Sequence, residues 1–250
     1  MWTFDRNGPL PLWRAETGNR AVLLASSTRQ GGISGPPYHA LNLGRSTADR
    51  PEAVEENRRR LLAGLGLNVE GLVTAGQVHG ARAVRVEEPG HVSVCDALVT
   101  TRPGLILAVT TADCMSLLFT VPGAVAVAHS GWRGTAERMP TVALTAVCAA
   151  AGRTPAEVMV LIGPCIRSCC YEVGEEVARA FRSEAVLGGA PRPHLDLPLA
   201  ARLQLEEAGV PAAAIHDCGA CTSCEPHWYY SYRRDGPASG RHWSLAALRM

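Results

Sequence analysis

Three residues of the chain carry side chains suited to one joint task. His79 lies in GQVHG, Cys114 in TTADC and His129 in AVAHSGWRG, each beside an apolar run. They are too widely spaced for a zinc-finger loop; ligands scattered this way at strand ends are how a sheet rim assembles a catalytic metal site. Two imidazoles and one thiolate form a ligand set for zinc that leaves the fourth tetrahedral position open. Zinc held this way lowers the pKa of a bound water toward ~7 and polarises a carbonyl or ring carbon. The same residues support a second chemistry without metal, with Cys114 as a nucleophile activated by one of the histidines, as in cysteine hydrolases. Taken singly, each has a plainer role: a histidine after a strand often bonds a backbone carbonyl, and cysteines are commonly buried.

Anionic substrates need a cation, and here every cation is an arginine: Lys+Arg totals 24 and no lysine occurs. That excludes a P-loop lysine, a Schiff-base lysine and a kinase-type strand lysine. Any bound anion must sit on arginine, on backbone N–H groups or on a metal. In HSGWRGTAER, Gly131 and Gly134 flank Arg133 before a predicted helix. Glycine there lets the backbone approach a ligand, and the helix start offers free N–H donors. Arg133 adds a bidentate partner for phosphate or carboxylate, the alternative being an ordinary strand–helix turn. Arg233, Arg234 and Arg241 cluster in SYRRDG and SGRHW, and Arg29 sits in the Gly-rich TRQGGIS turn. Each reads equally as a solvated turn or an anion site.

A last group, Cys218, Cys221 and Cys224 in DCGACTSCEPH with His227 nearby, repeats C-x2-C twice. It could hold a metal, with Cys165, Cys169 or Cys170 approaching in space, and would then suit a zinc-binding interaction module rather than an enzyme. Reduced, partly buried thiols are the alternative.

The elements that must position these groups alternate between strand and helix, without repeats. Residues 20–27 read as a strand entering the Gly-rich turn. A helix is predicted over 51–63, with Pro51 at its first position, Glu55–Arg59 and Glu56–Arg60 as i,i+4 pairs, and Gly64 and Gly66 ending it. Strands follow at 71–75, 82–87, 96–100, 105–111, 115–121 and 124–129, nearly continuous in apolar residues and so covered on both faces. A helix over about 135–151, bent or started by Pro140, precedes a buried strand at 157–163. Val173, Val177 and Phe181 give a stripe for a helix at 173–183. A helix at 197–208 and short strands near 213–217 and 241–248 complete the pattern, which reads as one α/β domain over 1–250 with a mixed sheet.

Composition agrees with a globular protein. Apolar residues make up 47% and charged ones 19%, which argues against disorder. A net charge of +1 gives no field for nucleic acid or acidic membrane. The opening MWTFDRNGPLPLWR is too polar for a signal peptide, and the longest apolar stretch is cut by Asp113 short of a bilayer span. Nine cysteines with no export signal read as reduced thiols of a cytoplasmic protein. The oligomeric state stays open.

Nine segments in order, TRQGGISGPPYHALNLG, ENRRRLLAGLG, GQVHG, CDALVT, TADCMSLLF, AHSGWRGT, IGPCIRSCCYEVG, LDLPLAARLQL and CTSCEPHWYYSYRRDGPASGR, resemble the laccase-domain or YfiH-like family. The match runs from about residue 20 onward. The resemblance implies a four-layer α/β/β/α sandwich with mixed sheets, and a zinc site on His79, Cys114 and His129, with copper as a second candidate. It implies phosphorolysis of adenosine, inosine and methylthioadenosine, and deamination of adenosine; copper-dependent oxidation of phenols is the third implied activity. Ser130 stands where many relatives have alanine. For deamination an activated water would attack C6 and a neighbouring acid would protonate the departing amine. Asp113 is that acid, provided the chain bends, because strand alternation would point it away from Cys114. For phosphate the candidates are Arg133, Arg29 and the arginines at 233–241, with Arg133 the first choice and Arg29 the second, and Asn42 of HALNLG is a further candidate for substrate or phosphate. The multicopper description fits poorly, since no HxH motif occurs.

Overall fold

Apolar runs this continuous need cover on both faces, and the chain supplies it by stacking two sheets between helices. The computed structural model describes residues 1–188 and 191–250. Among these, one sheet orders seven strands as Trp2–Asp5, Leu12–Ala15, Val22–Ser27, His242–Leu248, Ile106–Thr111, Leu72–Ala75 and Gly90–Val92. The other orders six as Ile215–Asp217, Met159–Ile162, Met115–Val121, Ala124–Ser130, Ala97–Thr100 and Ala83–Arg85. Both are mixed. Leu72–Ala75 runs parallel to each neighbour, as Ile215–Asp217 and Ala83–Arg85 do to the strands beside them.

Successive strand residues face opposite ways, so each strand feeds two layers. Leu98, Leu118, Val125 and Leu161 of the six-stranded sheet meet Leu24, Leu107, Val109 and Ala246 of the other. Leu117, Phe119, Ala126 and Ile162 face outward, under Ala143, Leu144 and Val147 of the Met139–Ala151 helix and Ala201 and Leu205 of the Leu197–Glu207 helix. On the far side Leu61 and Leu62 of the Pro51–Gly64 helix cover Ile106, Ala108 and Leu245. The fold is the four-layer α/β/β/α sandwich.

Several expected elements change. The helix predicted over 135–151 breaks in two: Trp132–Ala136 ends, Arg138 takes a left-handed φ of 65°, and Met139–Ala151 begins. Pro140 has no N–H for the Ala136 carbonyl and its ring would strike that oxygen, so the helix must restart. The helix predicted over 173–183 shrinks to Glu175–Ala178. Its apolar residues Val173 and Val177 pack with Leu195 and Leu197 in a small satellite cluster instead of against a sheet. Glu55 does not pair with Arg59; Arg45 takes it at 2.7 Å, while Glu56 holds both Arg59 and Arg60. Strands at Trp2–Asp5, Leu12–Ala15 and Gly90–Val92 were not expected. Among the described residues no helix is long and apolar enough to cross a membrane.

Candidate metal centre

The site is built where the chain passes from one sheet to the other. Residues 76–82 lead from Leu72–Ala75 to Ala83–Arg85 and carry His79; residues 112–114 lead from Ile106–Thr111 to Met115–Val121 and carry Cys114. His129 is the next-to-last residue of Ala124–Ser130, and its pairing with Ser116 sets it level with the second crossing. The three candidate ligand atoms lie within 4.8 Å of one another. Such convergence demands bent backbone: φ is 42° at Gln77, 62° at His79 and 88° at Asp113. Left-handed conformations cost residues with a Cβ of order 1–3 kcal/mol each and persist where surroundings enforce them.

Asp96 does much of the enforcing. It is fully buried, and its carboxylate accepts the backbone N–H groups of Val78 (3.1 Å), His79 (3.0 Å) and Gly80 (3.0 Å). Its Oδ1 also lies 2.9 Å from His129 Nδ1, so one carboxylate fixes the His79 loop and the His129 ring together. Burial pushes Asp96 upward, but His129 and the N–H groups outweigh it and hold the carboxyl below its usual range. The residue belongs to the CDALVT segment, yet no role was read for it; the available signal was an acid at the start of an apolar strand.

With Nδ1 on Asp96, His129 turns Nε2 to the other ligands. Burial pushes the Cys114 thiol up, but the charge and hydrogen bonds of His129 and His79 bring it down to about 6. Burial pushes His129 down, and the Cys114 thiolate and Asp96 raise it to about 9. Each charge favours the other: the imidazolium lowers the thiol, and the thiolate raises the imidazole. Gly131 completes the cradle: a Cβ there would stand 2.9 Å from Cys114 Sγ and 3.7 Å from His79 Cδ2. Two imidazoles and a thiolate suit zinc, and they are also the equatorial set of a mononuclear copper site. The residues present fit a metal ion.

His79, Asp113, Cys114 and His129 line a cavity of about 810 Å³. Asp113 is bent toward it, and both its oxygens accept hydrogen bonds, from Thr222 Oγ1 at 2.7 Å and from the Arg233 N–H at 2.6 Å. Arg233 and Arg241 line the same cavity, beside Tyr171 and Tyr232, and among the described residues neither has a carboxylate partner within 4.0 Å. Arg29 and Arg133 do not line it. Arg29 donates to the His39 and Pro226 carbonyls and stacks on Tyr230, while Arg133 lies over Trp132, 4.3 Å from the ring centre. The helix opening at Gly131 is five residues long. Asn42 is fully buried below the cavity, where its Oδ1 accepts the N–H of Gly44 and of Arg241. Arg234 is bound to Asp235 and to the Thr222 and Tyr229 carbonyls. Ser130 pairs its hydroxyl with that of Thr135 at 2.8 Å. Cys169, Cys170, Cys221 and Cys224 form a separate group, from which Cys165, Cys218 and His227 stand apart.

A family model described as multi-copper polyphenol oxidoreductase laccase matches residues 23–249. A purine nucleoside phosphorylase from Deinococcus radiodurans is 42% identical over 245 residues, which cover 96% of this chain and 93% of that protein. The purine nucleoside phosphorylase YfiH from Escherichia coli is 38% identical over 233 residues, 90% of this chain and 93% of its own. The crystal structure of YlmD from Geobacillus stearothermophilus superposes with a TM-score of 0.91 at 31% identity, covering 100% of this chain and 99% of that one.

Proposed function

The chain belongs to the multi-copper polyphenol oxidoreductase laccase family, and from that premise we propose that it is a zinc-dependent purine nucleoside phosphorylase, with purine nucleosides and phosphate as its substrates. The observation that carries the reading is one cavity holding both the His79–Cys114–His129 ligand set and two arginines, Arg233 and Arg241, that among the described residues have no carboxylate partner. The relatives named purine nucleoside phosphorylase support it. A cavity of about 810 Å³ suits a nucleoside with an anion beside it.

His79, Cys114 and His129 would hold zinc, which when bound supplies Lewis acidity at its open position. Arg233 and Arg241 hold phosphate: the chain has no lysine, and these two guanidinium groups line the cavity. Asp113 and Asn42 act as positioning residues through the backbone N–H groups of those two arginines. A phosphate oxygen bonds to C1′ of the ribose, the C1′–N bond breaks, and its electron pair leaves with the purine. Tyr171, which lines the cavity and like any phenol carries its proton at neutral pH, supplies the base's proton from Oη and regains one from phosphate. Deamination of adenosine and turnover of methylthioadenosine belong to the same reading, since both bring a purine nucleoside to this cavity.

One observation favours a second reading. Cys114, His129 and Asp96 form a thiolate–imidazolium–carboxylate series, the arrangement a metal-independent cysteine hydrolase uses. Copper-dependent phenol oxidation has less support: among the described residues the only other group of three or more such ligands is four thiols, with no histidine.

Product analysis of adenosine and inosine with and without phosphate, on protein whose metal has been measured, tests the proposal. Free base and ribose 1-phosphate are expected only with phosphate, and both should vanish with the zinc in Cys114→Ser. Arg241→Ala should raise the half-saturating phosphate concentration roughly 10-fold or more, the loss of a charge-assisted hydrogen bond. Undiminished turnover in metal-free Cys114→Ser protein would sink the reading. Activity that survives chelation but not alkylation would favour the hydrolase.

A further inference from the structure

A second cluster of soft ligands lies outside the cavity. Cys169, Cys170, Cys221 and Cys224 bring four sulphur atoms within 4.8 Å of one another. The fold explains the meeting. Met159–Ile162 and Ile215–Asp217 are parallel neighbours, so the loops that follow them leave the sheet at the same end. Beyond the strands the two loops stay joined: Cys165 and Cys221 form an isolated parallel bridge, and the Thr222 N–H donates to the Cys165 carbonyl at 3.1 Å. Adjacent residues of an extended chain point apart. Here Cys170 and Tyr171 both donate to the Arg167 carbonyl at 2.9 Å, and this turn lets Cys169 and Cys170 reach the same side.

We propose that Cys169, Cys170, Cys221 and Cys224 form a four-thiolate site for one zinc ion, separate from the His79–Cys114–His129 centre. A tetrahedron with Zn–S bonds of about 2.3 Å has sulphur–sulphur edges of roughly 3.8 Å. The contacts found are 3.6 Å for Cys169–Cys221, 3.4 Å for Cys169–Cys224 and 3.2 Å for Cys170–Cys224. Cys169 and Cys224 each have two close neighbours, which is convergence on a point; two disulfides would leave each sulphur with one. The backbone N–H groups of Cys224 and Arg167 favour the thiolate form of Cys221, the first residue of a C-x2-C step. Cys169 and Cys224 are exposed, so an ion has a way in.

The ion would fasten the back wall of the cavity. Thr222, between Cys221 and Cys224, donates to Asp113, and the Ile166 N–H donates to the Asp113 carbonyl at 2.9 Å. Both loops of the cluster therefore hold the residue preceding Cys114. This site stands on its own sulphur geometry and does not depend on the nucleoside reading.

The test uses the full-length Cys114→Ser chain, reduced and stripped of metal, titrated with Co(II) and then Zn(II). Cys114→Ser removes the thiolate from the other centre, so thiolate-to-cobalt charge-transfer absorption must come from the cluster. One equivalent of Co(II) with the spectrum of a tetrahedral four-thiolate site, displaced by one equivalent of Zn(II), is expected. Adding Cys224→Ser should weaken binding at least 10-fold and reduce the charge-transfer intensity, with Cys169→Ser as the alternative variant. A folded, fully reduced Cys114→Ser chain showing no thiolate band overturns the proposal. So does peptide mapping that finds Cys169–Cys221 and Cys170–Cys224 disulfides in protein isolated under reducing conditions.

Discussion

Asp96 reaches two of the three ligand positions without lining the cavity: three of its hydrogen bonds hold the loop of His79 and the fourth holds the ring of His129. Asparagine would keep its volume but lose the charge and set an amide N–H against donors. Partners of this kind are worth roughly 10–100-fold in metal affinity. Asp96→Asn should therefore weaken the ion by that factor, read by competition with a chelator. The metal-free chain offers a second reading. Cys114 is a thiolate above about pH 6, because His129 and His79 lower it against burial. Its alkylation rate should rise with pH through that value instead of through the ordinary thiol range near 8.5. Without the Asp96 charge His129 holds its proton less tightly, so the midpoint should move up by about one unit or more. An unmoved midpoint would show that Asp96 does not set the charge of the pair. At this scale the sequence was informative where side-chain chemistry was distinctive: His79, Cys114 and His129 could be read, and the structure brings them together. Which arginines line the cavity could not, because residue type alone does not separate Arg133 and Arg29, which do not line it, from Arg233 and Arg241, which do.

The strand-to-helix turn after His129 shows how an element serves a site by what it omits. Gly131 has a φ of −76°, which any residue can adopt, so its glycine is a matter of space and not of backbone freedom. Gly131→Ala would push a methyl group against Cys114 Sγ and His79. Expected is a loss of ion affinity of roughly 10-fold or more, with the midpoint of thermal unfolding nearly unchanged. Retained affinity would mean that the cradle relaxes. Elements were legible where local rules dominate. Pro51 and the glycines bounded the Pro51–Gly64 helix closely, and buried runs such as Met115–Val121 appeared at nearly their true lengths. They were illegible where a partner distant in sequence decides. Arg45 captures Glu55 from a loop, and the satellite cluster around Val177 replaces most of a predicted helix with turns. Gly90–Val92 is three residues long and is a strand only because Leu72–Ala75 lies beside it.

On the scale of the whole molecule, stability and chemistry occupy different layers. Leu118 is fully buried between the sheets, while Cys114, four residues earlier in the chain, lies at a crossing. Leu118→Ala should cost about 2–5 kcal/mol through lost burial and the void left behind, measured by chemical denaturation. The bound metal per folded chain should not change; if the ion is lost as well, the layers are more tightly coupled than their contacts indicate. The four-layer order could be anticipated only through the family resemblance, because apolar runs say that a strand is covered and not by what. The His242–Leu248 strand shows the limit most clearly. It read as a short closing strand, yet it fills the middle of the seven-stranded sheet, between Val22–Ser27 and Ile106–Thr111. That placement has a consequence for biosynthesis. All six strands of the other sheet, from Ala83 to Asp217, are made before residue 242 leaves the ribosome. Until then the facing edges of Val22–Ser27 and Ile106–Thr111 have no strand between them. A nascent chain therefore carries two open apolar edges from residue 111 until residue 242 is made, and that interval is when it is most exposed to mispairing with its neighbours.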